Sequence, residues 1–181
     1  MHQIETGTLS PDGKHDCVFL WLYCRDGRPY PKYRPVGADE AMPMVFALLR
    51  WDGTFGTMGG KVDPGESLHV ALSREACEEA NFWLPENAEI EQLGTFQDGP
   101  WHIHSFCYEL TYGELVSVRG HASAQAYAHP EVAGFVIAPA GEYMPGANGA
   151  PRGVGAFSHN QFCSTAKLEL DLLLHKLSQP S

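Results

Sequence analysis

Apolar positions follow two patterns along this chain. From His15 to Cys24 they run almost without interruption (HDCVFLWLYC), and from Met42 to Arg50 they do so again (MPMVFALLR), each run having the length of a strand. Trp51-Asp52-Gly53 then punctuates the chain with an Asp-Gly step, so Met42–Arg50 is expected to fold back on Thr54–Met58 as a hairpin. Gly59-Gly60 and Pro64-Gly65 bracket a tight loop. Beyond it the spacing becomes helical over Ser67–Asn81, with Ser67 as a candidate N-cap and Leu68, Ala71 and Leu72 as a narrow apolar stripe. Strands are expected at Glu89–Gln97 and Trp101–Thr111, on either side of the turn Gln97-Asp98-Gly99-Pro100. Gly113–Tyr127 carries a weak helical pattern, and Val132–Pro139 reads as a strand. Ala140–Gly155, with five glycines and two prolines, reads as a loop. Ala166, Leu170, Leu173, Leu174 and Leu177 lie at helical spacing and place a last helix from Asn160 to Leu177. Strands alternating with a few helices predict an α/β fold, a mixed sheet with helices packed on it.

Composition narrows the class. The 181 residues hold 44% hydrophobic and 19% charged positions, the profile of one globular domain spanning 1–181, with 1–14 as a short N-terminal extension. The longest apolar runs fall far short of the ~20 residues of a membrane-spanning helix, so no membrane partner is expected. The N-terminal MHQIETGTLSPDGKHD has no apolar core of a secretory signal. The five cysteines are scattered and form no CxxC, which favours reduced thiols and a cytoplasmic location, or a nuclear one in a eukaryote. Twelve Lys+Arg against 22 Asp+Glu give a net charge of −10, which argues against a general duplex-binding protein. It leaves open a phosphate substrate whose charge is met locally by metal ions.

The chemistry concentrates in one segment, Gly60-KVDPG-Glu66-SLHVALS-Arg74-Glu75-AC-Glu78-Glu79. A glycine-rich loop leads into a helix on which Glu75, Glu78 and Glu79, at i, i+3 and i+4, share one face within a turn. Three like charges so close raise one another's pKa unless cations neutralise them. The cluster suits an all-oxygen site for a hard divalent ion, Mg2+ or Mn2+. Arg74 sits inside it and could pair with Glu66 across the loop–helix junction. The plainer reading, a solvated acidic helix face, accounts for Glu78-Glu79 alone. It does not account for Gly60, Glu66, Arg74 and Glu75 at these offsets.

Those offsets resemble the Nudix box, G-x5-E-x7-R-E-U-x-E-E-x-G-U, where U is a bulky aliphatic residue. Gly60, Glu66, Arg74, Glu75, Glu78 and Glu79 match its first glycine and every charged position, and Phe82 stands at its last apolar one. Ala76 is small for its position. Asn81 replaces the second glycine, at a site where a left-handed backbone suits and Asn tolerates it. The resemblance implies an α/β/α sandwich around a mixed sheet, and hydrolysis of a phosphoanhydride in a nucleoside diphosphate linked to another moiety. Divalent ions would be held by Glu75, Glu78 and Glu79, with the carbonyl of Gly59 or Gly60 as a further ligand. Glu78 or Glu79 would act as base or ligand, while Glu66 and Arg74 would be structural. Outside the box, RWDGTFGTMGG, EVAGFVIAP and FSHNQFCSTAKLELDLLL are similar to the Nudix enzymes that decap small nucleolar and messenger RNA and hydrolyse inosine diphosphates. That similarity implies Arg50 as a contact to substrate phosphate or base, and Glu169 as a polar residue facing the metals. Thr57 and Val18 depart from that subgroup, which has an aromatic residue and a base-facing His at or near these positions. Homodimers, common in the family, are admitted by the same analogy.

Other residues extend the candidate site. The loop after Cys24 interleaves Arg25, Arg28, Lys32 and Arg34 with Tyr30 and Tyr33, which suits polyphosphate or single-stranded RNA as well as it suits a solvated loop. His102 and His104 alternate on a strand and face one side of the sheet, lining a cleft and contacting substrate more readily than ligating metal. Trp101 beside them reads as core before it reads as a base platform. His129-Pro130-Glu131 precedes a strand, where loops reach active sites. Three functions therefore stand: an RNA-decapping or inosine-nucleotide hydrolase, a pyrophosphatase of ADP-ribose, NAD or dinucleoside polyphosphates, and a non-enzymatic RNA- or nucleotide-binding module.

Overall fold

A computed structural model describes residues 1–28, 41–125, 130–141 and 153–179 of the chain. In chain order its elements are β1 (His2–Ile4), β2 (Asp16–Gly27), β3 (Met42–Arg50), β4 (Phe55–Gly56), β5 (Met58–Lys61), α1 (Leu68–Ala80), β6 (Glu91–Asp98), β7 (Trp101–Glu109), α2 (Tyr112–Gln125), β8 (Val132–Pro139), α3 (Val154–Ser158) and α4 (Ala166–Ser178). All eight strands join one sheet. Its path runs β1-β6-β7-β2-β3-β4, with β5 paired to β2 and β8 to β3. The β2–β7 pair is parallel and the others antiparallel, which is the mixed sheet expected.

The uninterrupted apolar run of β2 follows from its place between two layers. Val18, Leu20, Leu22 and Cys24 join Met44, Phe46, Leu48 and Met58 in a core closed by α1 and α2. Trp21 and Tyr23 point the other way, into a second core with Val45, Ala47, Cys107, Leu170 and Leu173 under α3 and α4. A strand covered on both faces has no position left for a polar residue. The result is an α/β/α sandwich.

The expected hairpin forms only in part. β3 pairs with β4 at Leu48↔Gly56 and Leu49↔Phe55. At Thr57, whose hydroxyl donates to the Leu20 carbonyl, the chain then crosses to β2, where Leu20↔Met58 through Cys17↔Lys61 pair as β5. β2 and β3 pair directly only at their other ends, at Tyr23↔Val45, Cys24↔Met44 and, past an irregularity, Gly27↔Met42. Residues 55–61 thus occupy the fork between two diverging strands.

Helix ends obey local rules. Ser67 Oγ accepts the Val70 amide at 3.3 Å. Asn81 takes the left-handed conformation (φ 50°) expected of it, and the amides of Asn81 and Phe82 return to the carbonyls of Cys77 and Ala76 at 2.9 and 3.1 Å. α2 starts on a capping box in which Thr111 Oγ1 and Glu114 Oε2 each accept the other residue's amide, at 3.3 and 2.8 Å. The last helix begins at Ala166 instead of Asn160. The chain before it serves β4: Phe55 donates to the Gln161 carbonyl and accepts from the Cys163 amide, at 2.8 and 2.9 Å, before Ser164 turns it with φ 42°.

The N-terminal extension is part of the sheet. After β1 pairs with β6, residues 7–16 cover polar side chains of β6 and β7. Asp16 accepts the Ser10 amide (2.9 Å), the Ser10 hydroxyl (2.6 Å) and His104 Nε2 (2.9 Å). Since a carboxylate only accepts, Nε2 carries the imidazole proton, and Nδ1 faces Thr95 Oγ1 at 3.3 Å. Burial holds the His104 pKa below its ordinary value, so the ring is neutral at pH 7. Replacing Asp16 with Ala strands buried donors on Ser10 and His104. It is expected to cost about 2–4 kcal/mol in urea unfolding and to speed amide exchange in residues 2–10 selectively.

Candidate active site

Two glycines let the acidic helix approach the loop before it. Gly59 (φ +150°) pairs with Phe19 of β2, and a Cβ there would lie 2.0 Å from the Val18 carbonyl. Its amide donates to Glu79 Oε2 at 2.8 Å. A Cβ on Gly60 would lie 2.4 Å from Glu75 Oε1. The carboxylates of Glu75 and Glu79 thus rest against backbone that any larger residue would push away.

Arg74 binds this arrangement together. Its Nε and Nη2 take the two oxygens of Glu66 at 3.2 and 3.0 Å, and Nη2 also donates to the Lys61 carbonyl at 2.9 Å. Nη1 donates to Glu75 Oε1 at 2.7 Å and to Glu78 Oε2 at 3.3 Å. Glu66 in turn accepts the Asp63 amide at 3.0 Å, so one guanidinium and one carboxylate lock the loop to the helix. The Arg74 hydrogen bonds hold Glu66 below the ordinary carboxylate range. Burial pushes Glu75 up despite Arg74, and pushes the half-buried Glu79 up to about 8 despite the Gly59 amide. Glu78 is the outermost, its side chain 57% exposed.

These groups fit a hard divalent cation by their chemistry: every candidate donor is oxygen, and Glu75 and Glu79, whose pKa values are raised by burial, also repel each other. Among the described residues no three His, Cys, Asp or Glu side chains converge closely enough to ligate one ion. Glu75 and Glu78 are instead drawn to Arg74, which stands where a cation between them would stand.

Arg50 lies beside this cluster. It pairs with Glu131 at 3.1 Å and reaches Asp52 at 4.0 Å, and the charges of Arg50 and Glu131 both act on Glu79. Its Nε is buried without a hydrogen-bond partner among the described residues. Glu131 was marked in the sequence only by its place before a strand, and Trp51, next to Arg50, only as part of a turn.

Other candidates lie apart. Glu169 of α4 is 1% exposed on the α3/α4 side. There its oxygens accept from Trp21 Nε1 (3.1 Å), Ser105 Oγ (3.1 Å) and Thr165 Oγ1 (2.5 Å), so the fold does not bring it to Glu75, Glu78 and Glu79. His102 and His104 do face the same side of the sheet, but both are buried. His102 Nδ1 donates to the Thr8 carbonyl at 2.8 Å and His104 bonds Asp16, so they anchor the N-terminal segment. Trp101 is half-buried between the edge of His15 and Lys61 Nζ, each 4.9 Å away. Arg28 is exposed just past β2, at the end of that strand away from β5. Tyr30, Lys32, Tyr33, Arg34 and His129 lie outside the described residues. A cavity of about 660 Å³ lies near that same end of β2, between Tyr23, Tyr108, Glu109 and Lys176.

A Gly-Gly loop and a helix with three carboxylates, set on an α/β/α sandwich, define a Nudix-type domain. The chain belongs to the family described as Nudt16-like: U8 snoRNA-decapping enzyme-like, whose family model matches residues 17–179. A relative named U8 snoRNA-decapping enzyme, from Homalodisca vitripennis, is 27% identical over 121 residues, and the match spans 64% of this chain and 64% of that relative's length. The fold is similar to a mutT/nudix family protein from Listeria innocua at 12% identity, covering 91% of this chain and 94% of that one with a TM-score of 0.59. It is also similar to a chain in the complex between the C-terminal domain of mouse MUTYH and human PCNA, at 14% identity, 92% of each chain and a TM-score of 0.50. At such identities the likeness is one of fold alone.

The raised carboxylates have a thermodynamic consequence. Unfolded, Glu79 ionises near its ordinary value of 4.5, while folded it keeps its proton to about 8. The folded state therefore binds more protons across that window, and stability falls as pH rises through it. In the presence of a chelator, Tm is expected to decline from pH 5 to pH 8, and Glu79→Gln is expected to flatten the decline. Added Mg2+ or Mn2+ is expected to raise Tm at pH 8 more than at pH 5.

Proposed function

We propose that this chain hydrolyses a phosphoanhydride bond in a nucleoside diphosphate linked to another moiety, with capped RNA as the leading substrate. The observation that carries the reading is the packing of Glu75 and Glu79 against Gly59-Gly60 under the Arg74–Glu66 brace, a fixed oxygen-rich surface short of positive charge. Membership of the Nudt16-like family and the name of the Homalodisca vitripennis relative support RNA ends over free nucleotides.

Glu75, Glu78 and Glu79 would hold a divalent ion, Mg2+ or Mn2+, with the Gly59 or Gly60 carbonyl. When bound, the ion supplies charge neutralisation at the pyrophosphate and lowers the pKa of water. The protein's own groups do the rest. Arg74 keeps the helix and loop in register, so that the carboxylates keep their spacing. Arg50, anchored by Glu131 at the edge of the cluster, directs its guanidinium to a phosphate oxygen. Of the two carboxylates open as base, Glu79 is the better held: the Gly59 amide orients it, and a bound cation beside it would ionise it at neutral pH, where burial alone keeps it protonated. Water oxygen attacks phosphorus, its proton passes to the carboxylate, and the bridging P–O bond breaks toward the leaving phosphate. From a capped RNA the products are a 5′-monophosphate end and the cap nucleotide.

Product analysis with Mg2+ or Mn2+ on capped RNA, NAD-capped RNA, ADP-ribose, a diadenosine polyphosphate and inosine diphosphate tests the reading. A 5′-monophosphate RNA at the highest kcat/KM is expected. Preference for ADP-ribose or the dinucleotide overturns the RNA assignment. Silence on every compound, with nucleotide binding intact, makes the chain a binding module. Glu79→Gln is expected to lower kcat about 10³-fold with the melting transition retained.

A further inference from the structure

Next to the carboxylate cluster, the turn after β3 holds a large aromatic side chain in solvent. Trp51 is 67% exposed, and no ring of the described residues stacks on it. The turn beneath it is rigid. The Gly53 amide donates to the Arg50 carbonyl (3.0 Å), the Arg50 amide to the Thr54 carbonyl (2.9 Å), and Asp52 Oδ1 accepts both the amide and the hydroxyl of Thr54 (2.9 and 2.7 Å). Gly53 closes it with φ +84°. The Trp51 amide is tied across to the Glu131 carbonyl at 3.4 Å. An exposed indole on so fixed a turn offers a flat face at little ordering cost.

That face opens on a cleft of about 260 Å³ lined by Arg50, Trp51, Asp52, Pro130 and Glu131. The volume is below the ~300 Å³ at which small-molecule pockets begin, so it suits one end of a ligand and not the whole. Its position says which end. Arg50 and Glu131 line the cleft and also lie close enough to Glu79 to act on it electrostatically, so the cleft adjoins the carboxylates and a ligand with its phosphates there can reach Trp51 with its other end. Arg50 Nε, buried without a hydrogen-bond partner among the described residues, lies within the same lining.

We propose that Trp51 is the platform on which the nucleobase of the substrate stacks, with Arg50 as the hinge between the base and its phosphates. This rests on the proposed active site, but it is a statement about binding and is separable from turnover. Base–aromatic stacking is sequence-tolerant and is lost when the ring is removed.

Calorimetric titration of the full chain with GDP, ADP and inorganic pyrophosphate, each with Mg2+, tests it. Trp51→Ala is expected to weaken GDP and ADP about tenfold and to leave pyrophosphate unchanged, while Trp51→Phe keeps most of the affinity. In turnover, Trp51→Ala is expected to raise KM with little change in kcat. Trp83→Ala, at a tryptophan 74% exposed on the segment after α1, is the control expected to leave all three affinities unchanged. Unaltered nucleotide affinity in Trp51→Ala overturns the proposal, as does equal weakening of pyrophosphate, or a parent protein that binds no nucleotide. A parent protein that binds nucleotides through Trp51 yet hydrolyses nothing upholds the platform and removes the hydrolase reading.

Discussion

Where β2 and β3 part, beyond Tyr23↔Val45, the ladder groups of both strands would be left facing a gap, and buried amides and carbonyls without partners are costly. Residues 55–61 fill that gap, β4 satisfying β3 and β5 satisfying β2, with the Thr57 hydroxyl on the Leu20 carbonyl at the crossing. Much else follows from this insertion. It delivers Gly59 and Gly60 from the middle of the sheet to the face where α1 packs, and it fixes the loop from Val62 to Glu66 at the start of that helix. It also recruits residues 161–163 as a further partner of Phe55, which is why the last helix starts late. The acidic cluster is thus mounted against paired strands of the sheet instead of on a free loop.

That mounting is needed because the cluster works against the fold. Glu66, Glu75 and Glu78 share one strong internal counter-charge, Arg74, whose donors are all engaged nearby, while Glu79 is held by the Gly59 amide. Desolvation raises Glu75 and Glu79, which are held against the Gly59-Gly60 backbone, while exposed Glu78 keeps its water. A surface selected only for stability would not bury two such groups against a glycine pair. The cost is offset by the cores on either side of the sheet, from Phe46 and Leu72 to Trp21 and Leu173, none of which touches the chemistry.

The same division explains what the sequence made legible. β2, β3 and α1 are long and patterned by burial, so periodicity alone places them, and the box residues stand out because their offsets are fixed by contacts within one loop and one helix. What stayed hidden depends on distant partners. β1 is only three residues, His2-Gln3-Ile4, with no periodicity of its own, and becomes a strand by pairing with β6. α3 begins at the end of the glycine- and proline-rich stretch that reads as loop and runs on past it. His102 and His104 share a sheet face, as their alternation requires, yet their partners are Thr8 and Asp16, and no spacing rule connects those positions. The Thr111-x-x-Glu114 capping box was visible in the letters and marks the start of α2 more sharply than its weak apolar stripe does. Glu169 shows the limit of carrying a role over by position: in this fold its carboxylate is absorbed by Trp21, Ser105 and Thr165.

Charge settles how a polyanion would be received. At −10 the protein repels phosphates at long range, but the Debye length of ~8 Å at physiological salt screens carboxylates on the far side of the molecule. The local inventory then decides. Among the described residues around the cluster, Arg74 is fully engaged, Arg50 is shared with Glu131, and Lys61 lies over Trp101. These cations cannot by themselves neutralise both a pyrophosphate and the carboxylates it must approach. On the proposed reading, substrate capture and catalysis therefore draw on the same divalent charge, and the chain's own cations orient the phosphates more than they attract them. Affinity for the uncharged end of the substrate then has to come from a source other than charge, and beside this site the exposed face of Trp51 is the available one.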